Sequence, residues 1–251
     1  MGEGNKRLSK RDAGSGLAEY VERGFLPAGL LNYLALLGWG IAEDRDVFTM
    51  QEMAEAFDIR RVNPNPARFD LKKLEAINAA HMRLLSIEEL EGRLVPFLRE
   101  ADLIEDPPTP EETLKITEGS VLIHERVGTL GEGADMLAFL FLEDVVYDAT
   151  DVTKVLNDDG LAVVAAAREA LGALATWNTE AIEAALRAKL VEELGIKPRH
   201  AFGPVRVAVT GRRISPPLFE SLELLGREES LARLDAAPSA AQTAGQEGGQ
   251  S

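Results

Sequence analysis

The 251-residue sequence contains no cysteine, only three histidines, and few aromatic residues, which make up 6% of the chain. Without cysteine, the chain can form neither a disulfide framework nor a zinc site with thiolate ligands. The histidines stand at positions 81, 124 and 200, too scattered to suggest shared metal ligation, so we expect no metal site. The absence of cysteine fits a reducing compartment, and we predict a cytoplasmic location.

Long apolar runs are also missing. No stretch approaches the roughly 18 apolar residues of a membrane-spanning helix, so we expect no membrane partner. The basic start, MGEGNKRLSKRDAGSG, has no apolar segment behind it and does not fit a secretory signal. The hydrophobic content of 45% is sufficient for a substantial core, divided among two or three small domains.

Positive charge is scarce, with 27 lysines and arginines against 42 acids and a formal net charge of −15. Coulomb repulsion keeps such a chain away from polyanions, including DNA, unless positive charge is gathered locally. Residues 197–226 are one such gathering, because no acid occurs before Glu220 and five bases do: Lys197, Arg199, Arg206, Arg212 and Arg213. Charge alone leaves two interpretations open, a solvated surface loop and a contact with phosphate.

Apolar residues recur at helical spacing through most of the chain, and capping signals at Thr49, Ser86 and Thr109 indicate helix starts. The prolines of residues 104–112, IEDPPTPEE, are typical of a linker. Only FLFLEDVVY and RVAVT are short strand candidates. The sequence therefore predicts a mostly α fold made of several helical bundles.

The end of the basic segment, SPPLFESLELLG, has the pattern of a helix start and stop. Ser215 is predicted as the N-cap, Pro216 as the first helical residue and Gly226 as the stop. A last short helix is expected after it. Residues 236–251 have no core-forming residue beyond alanine, which predicts a disordered tail.

An acidic region surrounds another arginine. Between Ala101 and Thr150 the sequence contains twelve acids, but only one lysine and one arginine, Lys115 and Arg126. An arginine in such a region is either an ion-pair partner or a functional group, and both interpretations stay open. The sequence contains no motif of a hydrolase, a redox enzyme or a nucleotide-binding loop of the Walker or dinucleotide type.

Four segments occur in a meaningful order: GNKRLSKRD, GFLPAGLLNYLALLGW, NPARFDLKKLEAIN and VRVAVTGRRISPPLFESLELLG. In this order and spacing they resemble glutamyl-tRNA synthetase from its KMSKS-type loop to its C-terminus, over roughly residues 1–235. The resemblance implies a helical, multi-domain architecture. Its regions would be a catalytic-domain remnant (1–24), a stem-contact region (25–99), two anticodon-binding subdomains (100–159 and 160–235) and the tail (236–251).

The resemblance also implies the chemistry of the intact enzyme, a ligase that joins glutamate to tRNA(Glu) with ATP and Mg through glutamyl-adenylate. Residues 7–11 would lie over the ATP phosphates, with Ser9 and Lys10 as the catalytic pair. Arg7 stands where the family has lysine and Arg11 where many class I enzymes have serine, which changes donor geometry. The ATP-binding loop would comprise Arg7, Leu8, Ser9, Lys10 and Arg11.

The family's nucleotide-binding fold precedes that loop and has no counterpart in this sequence. We therefore expect this chain to bind tRNA(Glu), to hold no cofactor tightly and not to form glutamyl-adenylate alone. ATP and glutamate would be partners only together with the catalytic domain.

For RNA recognition, the resemblance assigns Arg126 to the position of an anticodon-reading arginine. Ser215, Pro216 and Leu218 match a turn whose main chain reads another anticodon base. The neighbouring Arg212 and Arg213 would contact phosphates. Charging of tRNA(Gln) in addition to tRNA(Glu) stays open.

Two other interpretations remain. The net charge favours an acidic helical module that binds protein and not RNA. A ligase that acts with a separately encoded catalytic half is the other alternative.

Overall fold

The computed structural model describes residues 16–65 and 67–247. Over these residues the chain forms thirteen α-helices, and its only strand-like pairing is an isolated bridge between Ala42 and Arg45. The predicted mostly α fold is confirmed. No helix in this part of the chain is long and apolar enough to cross a membrane. The predicted ATP loop, residues 7–11, lies outside the described residues.

We label the helices α1 to α13 in chain order. Their bounds are Leu17–Glu22, Pro27–Leu36, Met50–Ala56, Leu71–Leu84, Ile87–Glu100, Pro110–Ile123, Leu130–Leu137, Ala149–Val155, Asp158–Gly172, Thr179–Leu186, Pro198–Thr210, Leu218–Leu225 and Arg227–Glu247. Short 3₁₀ turns occupy Ile59–Arg61 and Ala138–Leu140, and a π-helical turn, Arg187–Glu193, follows α10.

The chain divides into two compact units. Unit 1 contains Met1–Asp106 and Ile123–Asp135, and unit 2 contains Pro107–Leu122 and Met136–Ser251. The region boundaries that the resemblance implies, after residues 24, 99 and 159, stay predictions.

The predicted helix starts at Thr49, Ser86 and Thr109 are confirmed. Each hydroxyl accepts a hydrogen bond from the amide three residues later, and the glutamate there accepts one from the cap's own amide. These reciprocal bonds satisfy amides that a helix start otherwise leaves without a partner, and each cap contributes about 1 kcal/mol.

The core of unit 1 is built where α2 packs on α4. Its buried side chains are Tyr20, Phe25, Leu30, Tyr33, Leu74 and Ile77. The two helices approach so closely at Gly29 that a Cβ atom there would clash with the Asn78 side chain. Glycine at position 29 is therefore a steric requirement of this crossing.

A buried hydrogen-bond network supports the same unit. Asn32 donates from Nδ2 to the Asp46 carbonyl at 2.9 Å, which fixes the orientation of its amide. Its Oδ1 then accepts from the Phe48 amide at 3.1 Å and from His81 Nε2 at 2.8 Å. His81 must therefore carry its proton on Nε2. Burial lowers the pKa of His81, because the charged ring would lose its hydration.

Unit 2 is tied together by Arg233 of α13, which is only 4% exposed. Its Nη1 donates to the carbonyls of Phe139 and Val209 at 2.8 and 3.0 Å, and Nη2 donates to the Leu142 carbonyl at 2.8 Å. Its Nε donates to Glu229, one turn earlier in α13. One guanidinium thus satisfies three carbonyls near the ends of the 3₁₀ turn and of α11, which neither helix can satisfy itself.

The prediction of a disordered tail from residue 236 is wrong as far as residue 247, because α13 continues to Glu247. Ala237 is fully buried. The helix is already nucleated at Arg227, and each following alanine extends it at little cost, since alanine has the highest helix propensity. Residues 248–251 lie outside the described residues.

The two strand candidates are also corrected. RVAVT forms the last five residues of α11, and FLFLEDVVY comprises the last two residues of the second 3₁₀ turn and the irregular segment before α8. Val207, Ala208 and Val209 are all buried, so successive residues face protein and the apparent alternation reflects a helix buried on several sides.

The buried His81 predicts a pH dependence of unfolding. Its pKa is lowered in the folded state, so the unfolded chain binds the proton first, and stability is lost as pH falls below the unfolded value of about 6.5. His81→Gln should flatten the loss of unfolding free energy between about pH 7 and pH 5 in urea titrations. His200→Gln, at an exposed histidine, is the control and should keep the slope of the parent. Equal slopes in all three proteins would contradict the assignment.

The buried Arg233 predicts a large stability loss on replacement. Arg233→Met should lower the free energy of unfolding by roughly 3 kcal/mol or more, because three buried carbonyls lose their donor. Arg168→Met removes a half-exposed arginine whose Nε lies 2.8 Å from Asp235, and it should cost about 1 kcal/mol or less. Urea unfolding measures the free energy of unfolding of both variants. Similar losses would show that the buried hydrogen bonds of Arg233 contribute no more to stability than the half-exposed ion pair of Arg168.

Candidate nucleic-acid interface

Arg126 lies in a tight turn between α6 and α7, within unit 1. Its amide donates to the Ile123 carbonyl at 2.8 Å, and the next side chain, Val127, is buried at 1% exposure. The buried amide of Asn78 donates to the Gly128 carbonyl at 2.6 Å. The turn is thus bonded or buried on both sides of Arg126.

The other end of this turn is capped. The Gly128 amide donates to the Glu132 carboxylate at 2.8 Å, and the Glu132 amide donates to the Thr129 hydroxyl at 3.2 Å. These bonds start α7 and hold the turn against it. The backbone that carries Arg126 is therefore positioned by α4 on one side and by α7 on the other.

The Arg126 side chain is exposed, and it makes no hydrogen bond or ion pair with any residue in 16–65 or 67–247. Its acidic neighbours do not neutralise it, although acids are abundant in this part of the sequence. Among the described residues, the ion-pair interpretation of Arg126 therefore has no support. The turn presents a guanidinium whose donors are not used by any described side chain.

The second predicted contact lies in unit 2, in the segment between α11 and α12. Gly211 ends α11 in the left-handed conformation, with φ of +79°, and a Cβ atom there would clash with the Val146 carbonyl. Its own carbonyl accepts from the Asp148 amide at 2.9 Å. Only glycine fits this position, and it turns the chain sharply out of α11.

Arg206 of α11 holds the following turn. Its Nη1 donates to the Ser215 hydroxyl and to the Pro216 carbonyl, and it lies 3.4 Å from the Ser215 carbonyl. Charge-assisted bonds of this kind are among the stronger hydrogen bonds in proteins. One arginine thereby fixes the backbone of two consecutive residues.

The predicted helix start at Ser215 is wrong. The helix begins at Leu218 with Pro217 as the N-cap, while the Ser215 hydroxyl accepts a hydrogen bond from Arg206. The two prolines explain the shift, because a residue that precedes proline is disfavoured in the helical region, and this restricts both Ser215 and Pro216. The predicted stop at Gly226 is confirmed.

The start of α12 presents unpaired donors. The first hydrogen bond into the helix runs from the Ser221 amide to the Pro217 carbonyl. The amides of Leu218, Phe219 and Glu220 therefore have no carbonyl partner within the helix, and Pro217 supplies no side-chain cap. Ser215 and Leu218 are buried, so their side chains belong to the packing of the turn.

The two arginines predicted for phosphate contact differ. Arg213 is bound by Asp151, whose carboxylate accepts from the Arg213 amide at 2.8 Å and from its Nε at 2.6 Å. Burial opposes ionisation of Asp151, but the bonds from Arg213 outweigh it and hold the pKa of this carboxyl below its usual range. Arg213 is thus largely neutralised. The half-buried Arg212 forms no ion pair with a described residue.

Three features of this region were not predicted from the sequence. The hydrogen bonds from Arg206 to the turn and the ion pair of Asp151 with Arg213 both depend on tertiary structure. The third is Ile214, which is 77% exposed next to Arg213. A large apolar residue between two arginines and a proline pair was the available signal for this last one.

Comparison with known proteins gives a consistent result for this region. The family model described as "Anticodon binding domain" matches residues 89–238, which include Arg126 and the whole of residues 211–218. The chain belongs to the anticodon-binding domain family. A second model, "tRNA synthetases class I (E and Q), catalytic domain", matches residues 1–76.

Curated relatives of the chain are named glutamate–tRNA ligase. The chain is 60% identical to that of Nocardioides sp. over 239 residues, covering 94% of this chain and 49% of the relative. It is 55% identical to that of Kineococcus radiotolerans, covering 93% and 47%. The resemblance to glutamyl-tRNA synthetase is confirmed, and the chain spans about half the length of the curated relatives it matches.

Solved structures share the fold. The crystal structure of a glutamate tRNA ligase from Elizabethkingia meningosepticum, in complex with its amino acid, superposes with a TM-score of 0.75 at 24% identity. It covers 94% of this chain and 49% of that one. Glutamate-tRNA synthetase from Elizabethkingia anophelis gives a TM-score of 0.69 at 23% identity, covering 88% and 42%.

The Arg206 clamp predicts local protection of the turn. Arg206→Ala should raise the hydrogen-exchange rate of the amides in residues 212–220, with the local opening free energy falling by about 1–3 kcal/mol, since the Ser215 and Pro216 acceptors lose a charged donor. Peptide-resolved exchange with mass detection measures it. Arg212→Ala is the control and should leave the exchange of these amides unchanged. Unaltered protection in Arg206→Ala would show that the clamp does not hold the turn.

Proposed function

We propose that this chain is the tRNA-reading part of a glutamate–tRNA ligase and that it binds tRNA(Glu). The observation that carries the proposal is Arg126, an exposed arginine that pairs with no acid among the described residues and lies on a turn that is fixed from both sides. An exposed guanidinium of this kind gains nothing from a direct ion pair with a described acid, and its donors suit an RNA base.

The two candidate contacts divide the work of recognition. Arg126 offers donors in a rigid plane, which suits the hydrogen-bonding edge of an unstacked base. At the other contact, Ser215, Pro216 and Leu218 are buried residues, and main-chain groups of this turn would read a base. Arg212 would contact the phosphate backbone and add affinity without sequence preference. Arg213, which Asp151 holds in position, would also contact the phosphate backbone.

The ligase activity is proposed for the whole protein. It would use glutamate, ATP and Mg, and the ATP phosphates would meet residues 7–11, with Ser9 and Lys10 closest to the reacting groups. A loop with hydroxyl and ammonium groups suits the charge that develops on a pyrophosphate leaving group. The proposal also includes a cytoplasmic location and specificity for tRNA(Glu).

A binding experiment separates the proposal from the alternative of an acidic protein-interaction module. The chain should bind a tRNA(Glu) transcript more tightly than an unrelated tRNA. The logarithm of its association constant should fall linearly with the logarithm of the salt concentration. Filter binding measures both. Absence of RNA binding at low salt would leave the protein-interaction module as the better description.

The base-reading role of Arg126 gives a sharper prediction. Arg126→Ala should cost about 1–3 kcal/mol in binding of tRNA(Glu) and reduce the preference over anticodon-substituted transcripts. Arg93→Ala removes the same charge from another exposed position of unit 1 and controls for net charge. Arg212→Ala should weaken the binding of all transcripts alike and lower the slope of log K against log salt concentration by about 1. If Arg126→Ala weakens every transcript equally, Arg126 contacts phosphate and not a base.

A further inference from the structure

One buried side chain joins the start of α2 to the turn that carries Arg126. Asn78, in α4, is completely buried. Its Oδ1 accepts a hydrogen bond from the Leu26 amide at 2.9 Å, and its Nδ2 donates to the Gly128 carbonyl at 2.6 Å. The side chain therefore links two backbone segments of unit 1 that are far apart in the sequence.

These two bonds determine which chemistry position 78 requires. A backbone amide can only donate and a carbonyl can only accept, so the orientation of the Asn78 side chain is fixed. A carboxylate of the same shape would still accept from the Leu26 amide but would have no proton to donate to the Gly128 carbonyl. The position therefore depends on the donor of a primary amide and not only on its volume.

A second contact holds the far end of the same turn. The Leu130 amide donates to the Gly24 carbonyl at 3.0 Å. Gly24 has a φ of +78°, and a Cβ atom there would lie only 2.6 Å from the Gly131 nitrogen. The turn thus lies against residues 23–26 at two points, at Gly128 through Asn78 and at Leu130 directly.

Arg126 is close to the first of these points. It lies two residues before Gly128, and the side chain between them, Val127, is only 1% exposed. A displacement of the Gly128 carbonyl must therefore move the guanidinium as well. Hydrogen bonds to a base edge weaken steeply when their angle or distance changes, whereas attraction to phosphate depends mainly on charge. Misplacement of Arg126 should thus reduce discrimination between bases more than general affinity.

We propose that Asn78 is a positioning residue for base recognition by Arg126. It fixes the turn to the start of α2 so that the guanidinium meets the edge of the base, and, being buried, it makes no contact with RNA itself. Neither family model includes this position, since the two match residues 1–76 and 89–238. The proposal rests on the proposed function, because it deepens the base-reading role of Arg126.

Asn78→Asp tests the proposal, with Asn32→Asp as the matched control. Both variants keep the shape of a buried asparagine of unit 1 and remove a donor to a backbone carbonyl, but only Asn78 bonds to the turn. At neutral pH, Asn78→Asp should lower the preference for tRNA(Glu) over anticodon-substituted transcripts roughly tenfold, as expected for the loss of one base contact. Asn32→Asp should keep the preference of the parent. Filter binding measures the affinities, and urea unfolding measures the stability of both variants.

Acid should restore part of the preference in Asn78→Asp. Burial raises the pKa of the introduced carboxyl, and the Glu132 carboxylate, which holds the Gly128 amide, acts in the same direction. Once protonated, the carboxyl again has a donor for the Gly128 carbonyl. General destabilisation would not recover in this way, because acid also destabilises unit 1 through His81. A preference that stays low throughout this pH range would overturn the role of this hydrogen bond.

A double-mutant cycle shows whether Asn78 acts through Arg126. In the Arg126→Ala background, Asn78→Asp should change the anticodon preference by less than about twofold, because the group that it positions is gone. An equal loss in both backgrounds would overturn the proposal, since Asn78 would then act elsewhere. An equal loss in Asn78→Asp and Asn32→Asp would also overturn it and would assign the effect to the stability of unit 1.

Failures of the two proposals look different. If Arg126→Ala leaves the anticodon preference unchanged, the base-reading role of Arg126 is overturned, and the role of Asn78 falls with it. If Arg126→Ala removes the preference but Asn78→Asp keeps it, only the role of Asn78 is overturned, and the proposed function stands.

Discussion

The guanidinium of Arg233 is the contact on which unit 2 depends, because it supplies donors to three carbonyls that close two separate elements. A carbonyl at the end of a helix must find a partner outside the helix or remain unsatisfied in the interior. By bonding to Val209, Arg233 satisfies a carbonyl in the last turn of α11 that the helix leaves without a partner. Gly211, two residues later, ends the helix and directs residues 212–217 away from it.

Local signals in the sequence predicted the helix starts at Thr49, Ser86 and Thr109 correctly, since a capping box involves only four consecutive residues. The same kind of signal failed at Ser215. There two consecutive prolines disfavour the helical conformation of the residues before them. In addition, Arg206 donates a hydrogen bond to the Ser215 hydroxyl, which therefore does not cap the helix. Composition also misled at residues 236–247, because alanine adds little to a core but readily extends an existing helix.

The candidate residues for RNA contact stay predictions from the sequence, and their electrostatic surroundings could not be predicted from it. The sequence placed Arg212 and Arg213 side by side, and nothing in it distinguishes them. Folding brings Asp151, 62 residues away, against Arg213 alone. For Arg126 the sequence left two interpretations open, and only the tertiary structure shows that no described acid approaches it. Which cations stay unpaired is a property of the fold, and in an acidic protein it carries more information than their number.

The crossing of α2 and α4 has an effect beyond packing. Asn78, which leaves no room for a side chain at Gly29, also accepts a hydrogen bond from the Leu26 amide and donates one to the turn that carries Arg126. Position 29 is buried and has no contact with the proposed RNA site. A larger residue there would displace Asn78, and the turn would lose the hydrogen bond from Asn78 that positions it. Such a core substitution would thus alter the position of Arg126 without touching it.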